Sequence, residues 1–155
     1  MPRLREQLQT ALPIDEAFAF VADFANASRW DPGVADAERV GEAGPLAVGA
    51  LYRLGIRMGG GVSPMEYRIT TLEPPRRVVL TGEGSGVSAV DEIRFEANGG
   101  GTRIDYIADI RLRGLRALLT PLARGTFARI ARDAREGMQR TLDELARQRS
   151  GGEAA

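Results

Sequence analysis

The sequence predicts an α+β domain: a curved antiparallel sheet of about seven strands wrapped around a long C-terminal helix. One or two short helices are expected after the first strand. Three observations carry this. Short alternating runs separated by glycine and proline fill residues 34–112, and such close spacing leaves room only for antiparallel neighbours. One amphipathic stripe then occupies residues 120–149, and at about 1.5 Å per residue that helix is about 43 Å long, enough to cross a small sheet. The chain has 155 residues, the length of one domain.

Residues 3–12 alternate, with Leu4, Glu6, Leu8 and Thr10 in one phase and Arg3, Arg5, Gln7 and Gln9 in the other, and Pro13 ends the strand. Ile14, Phe18, Val21 and Phe24 then recur at helical spacing, with Asp15 and Glu16 early in the helix where its dipole favours acids. Residues 26–33 read as a short helical turn and a bend. Strands are predicted over 34–41, 48–58, 65–73, 76–82, 87–96 and 102–112. The run Gly82-Glu83-Gly84-Ser85-Gly86 joins two strands rather than opening a helix, so it is a hairpin and not a phosphate loop. Thr120 is the predicted N-cap of the last helix, with Pro121 in its first position. From Leu122, the residues Phe127, Ile130, Ala134, Met138, Thr141, Leu142 and Leu145 trace its apolar stripe. A single domain over 1–149 is expected, with 150–155 as a disordered tail.

Composition excludes much chemistry. The chain has no cysteine, no histidine and no lysine. That removes disulfides, Ser-His-Asp and Cys-His catalysis, imidazole and thiolate metal ligands, and lysine Schiff bases. No metal or cofactor is expected, and proton transfer falls to Asp, Glu, Tyr, a chain terminus or water. Twenty-one basic and 21 acidic residues leave no net charge and no drive toward nucleic acid. Charge is uneven, however: residues 111–149 carry ten Arg against four acids. That helix is either a contact for an anionic membrane surface or a solvated face. The polar N-terminus and the lack of a long apolar run predict a cytoplasmic protein.

The order of elements comes with specific local sequences: 13–24 (PIDEAFAFVADF), 30–34 (WDPGV), 48–50 (VGA), 73–78 (EPPRRV), 91–95 (DEIRF) and 100–106 (GGTRIDY). Over about residues 3–147 the chain resembles the polyketide cyclase/dehydrase and lipid-transport family of the SRPBCC, or START-like, superfamily. The resemblance implies a helix-grip fold with a hydrophobic, ligand-binding pocket. It carries over no catalytic set, because the family ranges from cyclases to carriers.

Strand phase predicts which side chains face the hollow between sheet and helix. Tyr52, Leu54, Ile56 and Met58 share a face, as do Met65, Tyr67, Ile69 and Thr71. Val87, Ala89, Asp91, Ile93 and Phe95 face Ile104, Tyr106, Ala108, Ile110 and Leu112. The pocket-lining set is therefore Trp30, Tyr52, Leu54, Tyr67, Ile69, Asp91, Ile93, Tyr106, Phe127 and Met138. The glycine turn at 98–101 sets Glu96 opposite Arg103, Arg94 opposite Asp105 and Asp91 opposite Ala108, with Tyr106 diagonal to Asp91. Asp91 and Tyr106 form the candidate catalytic pair, since burial raises a carboxyl pKa and suits it to donate or shuttle protons. The same carboxylate also fits a purely structural role, bonded to Tyr106. Glu6 is a second acid in phase with the interior. Trp30, the sole tryptophan, is either a wall of the pocket or a plug holding the bend.

Three functions follow. The first is a carrier or binding protein for an apolar lipid, polyketide, isoprenoid or quinone-like molecule. The second is a cofactor-independent polyketide cyclase or dehydratase using Asp91 and tyrosines. The third is a surface interaction module. Ligand identity and oligomeric state are not written in the sequence.

Overall fold

A computed structural model describes residues 3–114, 117 and 120–154. Strand β1 (Arg3–Thr10) is followed by helix α1 (Ile14–Ala22), a 3₁₀ turn (Phe24–Asn26) and the short helix α2 (Ala27–Trp30). Six strands come next: β2 (Val34–Val40), β3 (Leu51–Met58), β4 (Gly61–Glu73), β5 (Arg77–Gly84), β6 (Val87–Asn98) and β7 (Gly101–Leu112). The long helix α3 spans Thr120–Ala154.

All neighbours pair antiparallel in the order β1-β7-β6-β5-β4-β3-β2. The first two strands thus form opposite edges, and the α1–α2 segment spans the sheet between them. Gly59-Gly60 and Gly99-Gly100 both take positive φ, which the two-residue β3–β4 and β6–β7 turns require of both central positions. The second turn fixes the predicted register: Glu96 pairs with Arg103, Arg94 with Asp105 and Asp91 with Ala108. Glu96 and Arg103 also form an ion pair. Arg94 does not take Asp105 as its ionic partner; its Nε lies 3.1 Å from Glu92, while Asp105 is held by Arg5 and Gln7 of β1. The third strand in register competes for the charge, which a two-strand reading does not include.

The strands depart from the predicted bounds chiefly in β4, which starts at Gly61 rather than 65. Pro64 is tolerated because β5 pairing begins only at Met65, so β4 there has a neighbour on one side alone. A bulge between Ile69 and Thr71 then reverses the phase of β4. Leu72 rather than Thr71 shares the inner side with Val78, correcting the alternation read from the sequence. The glycine run 82–86 is a hairpin with Ser85-Gly86 as its tip, but Gly82 and Gly84 lie within β5 for a different reason. A Cβ on Gly82 would sit 2.6 Å from the Tyr67 ring, and one on Gly84 would sit 2.7 Å from Met65.

The core fills the concave side of the sheet. Phe18 of α1 meets Phe95 edge-on at 5.1 Å, and Phe24 packs against Tyr67 at 5.4 Å and Tyr52 at 6.5 Å between ring centroids. Met138 and Leu142 of α3 are fully enclosed. Helix α3 is anchored in its second half. A Cβ on Gly137 would lie 2.1 Å from the Trp30 carbonyl oxygen, and Thr141 Oγ1 donates to the Arg29 carbonyl at 3.1 Å. The stretch expected to be a disordered tail after 149 is instead helical through Ala154. Its low-propensity Ser150-Gly151-Gly152 extends a helix already formed, which needs no new nucleus. Capping by Thr120, and the roles of Pro121 and Leu122, lie outside the described side chains.

Candidate functional site

A cavity of about 190 Å³ lies between the sheet's concave face and helix α3. Alternation in β4, β6 and β7 brings Tyr67, Asp91 and Tyr106 to its floor, while Phe127, Ile130, Ala134 and Met138 descend from α3. The α2–β2 bend supplies Trp30 and Asp31 as a side wall, and β1 supplies Leu4, Glu6 and Leu8.

Six of the ten predicted pocket residues line this cavity: Trp30, Tyr67, Asp91, Tyr106, Phe127 and Met138. The other four, Tyr52, Leu54, Ile69 and Ile93, face inward as phased but belong to the core, each at most 2% exposed. They occupy the end of the sheet that Phe18, Phe24 and their neighbours fill, so the concave face is half core and half cavity. Tyr52 is the least expected of these. Its hydroxyl is buried, and burial with the nearby Asp23 carboxylate pushes its pKa up to about 12.

Asp91 is 7% exposed, and the Tyr106 hydroxyl donates to its Oδ2 at 2.5 Å. Loss of water pushes the Asp91 pKa up to about 7; the Tyr106 bond opposes the shift, and the Asp31 and Asp109 charges add to it. Tyr106 itself is raised well above the usual phenol range by burial and by Asp91. Tyr67, 7% exposed, is raised likewise, first by burial and then by Asp91 and Asp31. Tyr106 remains the donor to Asp91, not the anion, at any ordinary pH.

Sequence reasoning gives Asp31 only the role of a turn-former. It has that role, since its Oδ1 accepts the Gly33 N–H at 2.8 Å. It also lines the cavity, and burial raises its pKa to about 6, with the Gly33 bond lowering it and Asp133 adding to the rise. A bend has no periodicity from which to read facing; adjacency to the sole tryptophan is the available signal. Glu6 reaches the cavity wall as its phase predicts, where its carboxylate lies 3.4 Å from Arg135 Nε of α3. Trp30 is both wall and plug: it lines the cavity, is 3% exposed, and meets Tyr106 edge-on at 5.9 Å and Phe24 at 6.3 Å.

Residues 1–148 match the family model described as polyketide cyclase / dehydrase and lipid transport. The chain belongs to that family. Among solved structures it is similar to a protein from Thermus thermophilus (16% identity, TM-score 0.75, 91% of this chain and 97% of that one). The Zhui aromatase/cyclase from Streptomyces sp. R1128 is similar at 16% identity and TM-score 0.74, over 96% and 95% of the two chains. A START superfamily protein from Mycobacterium smegmatis follows at 11% identity and TM-score 0.71, over 94% and 97%. At such identities the likeness establishes the helix-grip, START-like fold. No curated protein matches the chain.

For this member of the polyketide cyclase/dehydrase and lipid transport family, the concave site is therefore an apolar hollow with a small polar floor. Among the described residues no three His, Cys, Asp or Glu side chains gather as a metal site. No helix among them is long and apolar enough to cross a membrane.

Proposed function

We propose that the protein is a carrier or binding protein for an apolar small molecule of the lipid, polyketide, isoprenoid or quinone-like class, held between the sheet and α3. The observation that carries this reading is the cavity itself. Its walls are mainly aliphatic and aromatic, and its volume exceeds the roughly 150 Å³ of apolar cavities that take up benzene. The family match supports the same class of ligand. Trp30 makes the test direct, because the only tryptophan of the chain stands on the cavity wall. Titration with decanol is expected to change its fluorescence saturably, and a linear response with no saturation would contradict the reading.

A second reading is favoured by the Asp91–Tyr106 pair. A carboxyl with pKa near 7, held on a phenol in a mainly apolar cavity, is suited to move a proton in a dehydration or enolisation. A polyketide cyclase or dehydratase of this kind predicts that Asp91→Asn retains ligand uptake but loses turnover. The third reading, a surface module, has less support. Arg135 and Arg149 of the Arg-rich helix are committed to Glu6 and Glu16 rather than to a partner.

A further inference from the structure

We propose that the cavity selects an apolar ligand carrying a protonated nitrogen, with Asp91 and Asp31 as the anionic receptor and Trp30, Tyr67 and Tyr106 as its aromatic surround. This deepens the binding reading above and rests on it.

Among the described residues, five ionisable acids and bases line the cavity apart from its tyrosines: Glu6, Asp31, Asp91, Arg57 and Arg135. Glu6 and Arg135 face each other at 3.4 Å. Arg57 is exposed and donates its Nε to the Pro32 carbonyl. Asp31 and Asp91 remain, and among the described residues neither makes a salt bridge. Each has one carboxylate oxygen occupied by a neutral donor, the Gly33 N–H or the Tyr106 hydroxyl, and no hydrogen bond from the described residues at the other. Two desolvated carboxyls without a cation are costly in an interior. An ammonium group on the ligand supplies the missing charge.

The aromatic groups point the same way. Tyr67 is buried and phased into the cavity, and its hydroxyl has no hydrogen-bond partner among the described residues. Trp30 and Tyr106 stand edge to face beside the two acids. Ring faces and carboxylates together are the usual surround of a bound cation, whereas a ligand carboxylate set beside the two acids would be repelled by both of them. The charged and titratable groups bearing on this pair come from every side: Tyr67 on β4, Tyr106 and Asp109 on β7, Glu6 on β1, Arg57 on β3, and Asp133 and Arg135 on α3. The additional acids among them, Asp109 and Asp133, reinforce the negative field.

The test compares decylamine, decanol and decanoate by Trp30 fluorescence with the full-length protein. At about pH 8, with both carboxyls ionised, decylamine is expected to bind about tenfold or more tightly than decanol, and decanoate more weakly than either. Lowering the pH to about 5 protonates Asp91 and Asp31 and is expected to erase the preference for the amine while leaving decanol binding intact. Asp91→Asn and Asp31→Asn each keep an oxygen acceptor for their neutral donor, and each is expected to reduce the preference at pH 8. Circular dichroism of both variants checks that the fold is kept. Equal binding of amine and alcohol, or an amine preference unchanged in both variants, overturns the proposal while leaving an apolar carrier standing. Failure of decanol and decylamine alike overturns the carrier reading with it.

Discussion

Asp91 concentrates the energetics of the site in one side chain. Its carboxyl titrates near 7 in the folded protein against 3.8 for an unperturbed aspartate, so the fold binds this proton more tightly than the unfolded chain does. The sign follows: stability from this group is fully present below the unfolded pKa and is lost as pH rises through about 7. Asp91→Asn keeps an acceptor for Tyr106 and removes the ionisation. It is expected to raise unfolding free energy by about 2–4 kcal/mol at pH 8, and by about zero at pH 3, where the native side chain is already neutral. Urea denaturation at the two pH values measures this, and equal effects at both would contradict it. The position of Asp91 was legible because alternation gives its facing and the Gly99-Gly100 turn gives its register. Asp31 was not, because a bend between a four-residue helix and a strand carries neither signal.

Among the elements, α3 is the one whose placement makes the cavity. Its apolar stripe was readable at helical spacing, but the close approach at Gly137 was not, since a glycine within a helix reads only as a weak helix former. The Trp30 carbonyl lies where a Cβ at 137 would go, and a backbone oxygen cannot swing aside as a flexible side chain can. Gly137→Ala is therefore expected to destabilise by about 2–4 kcal/mol as the helix lifts from the α2–β2 bend. Gly125 in the same helix is exposed, with nothing within 4 Å of a Cβ. Gly125→Ala is expected to stabilise by up to about 1 kcal/mol through helix propensity alone. Opposite signs in urea denaturation would support this packing; equal stabilisation would refute it. The sheet shows the same division between pattern and exception. Period-two alternation holds along β6 and β7, and fails in β4 at the Ile69–Thr71 bulge, where one extra residue turns Thr71 away from the inner side.

At the scale of the molecule, the layout of sheet and helix was legible from the order of elements, and the family followed from the local sequences on it. Whether the hollow stays open depends instead on where the large side chains lie along the sheet. Phe18, Phe24, Tyr52 and Phe95 close one end, while Ala89 and Ala108 leave space at the other beneath Phe127 and Met138. Filling that space gives a direct check: Ala108→Phe is expected to keep the fold and to abolish the saturable response to decanol, while retained saturation would place the ligand elsewhere. Whether the hollow holds an apolar molecule is read from native against denaturing mass spectrometry of the protein purified from its own host. A near-stoichiometric apolar adduct is expected, lost on denaturation and absent from Ala108→Phe. An identical mass for the native protein and its bare chain, unchanged after exposure to a host lipid extract, would contradict it.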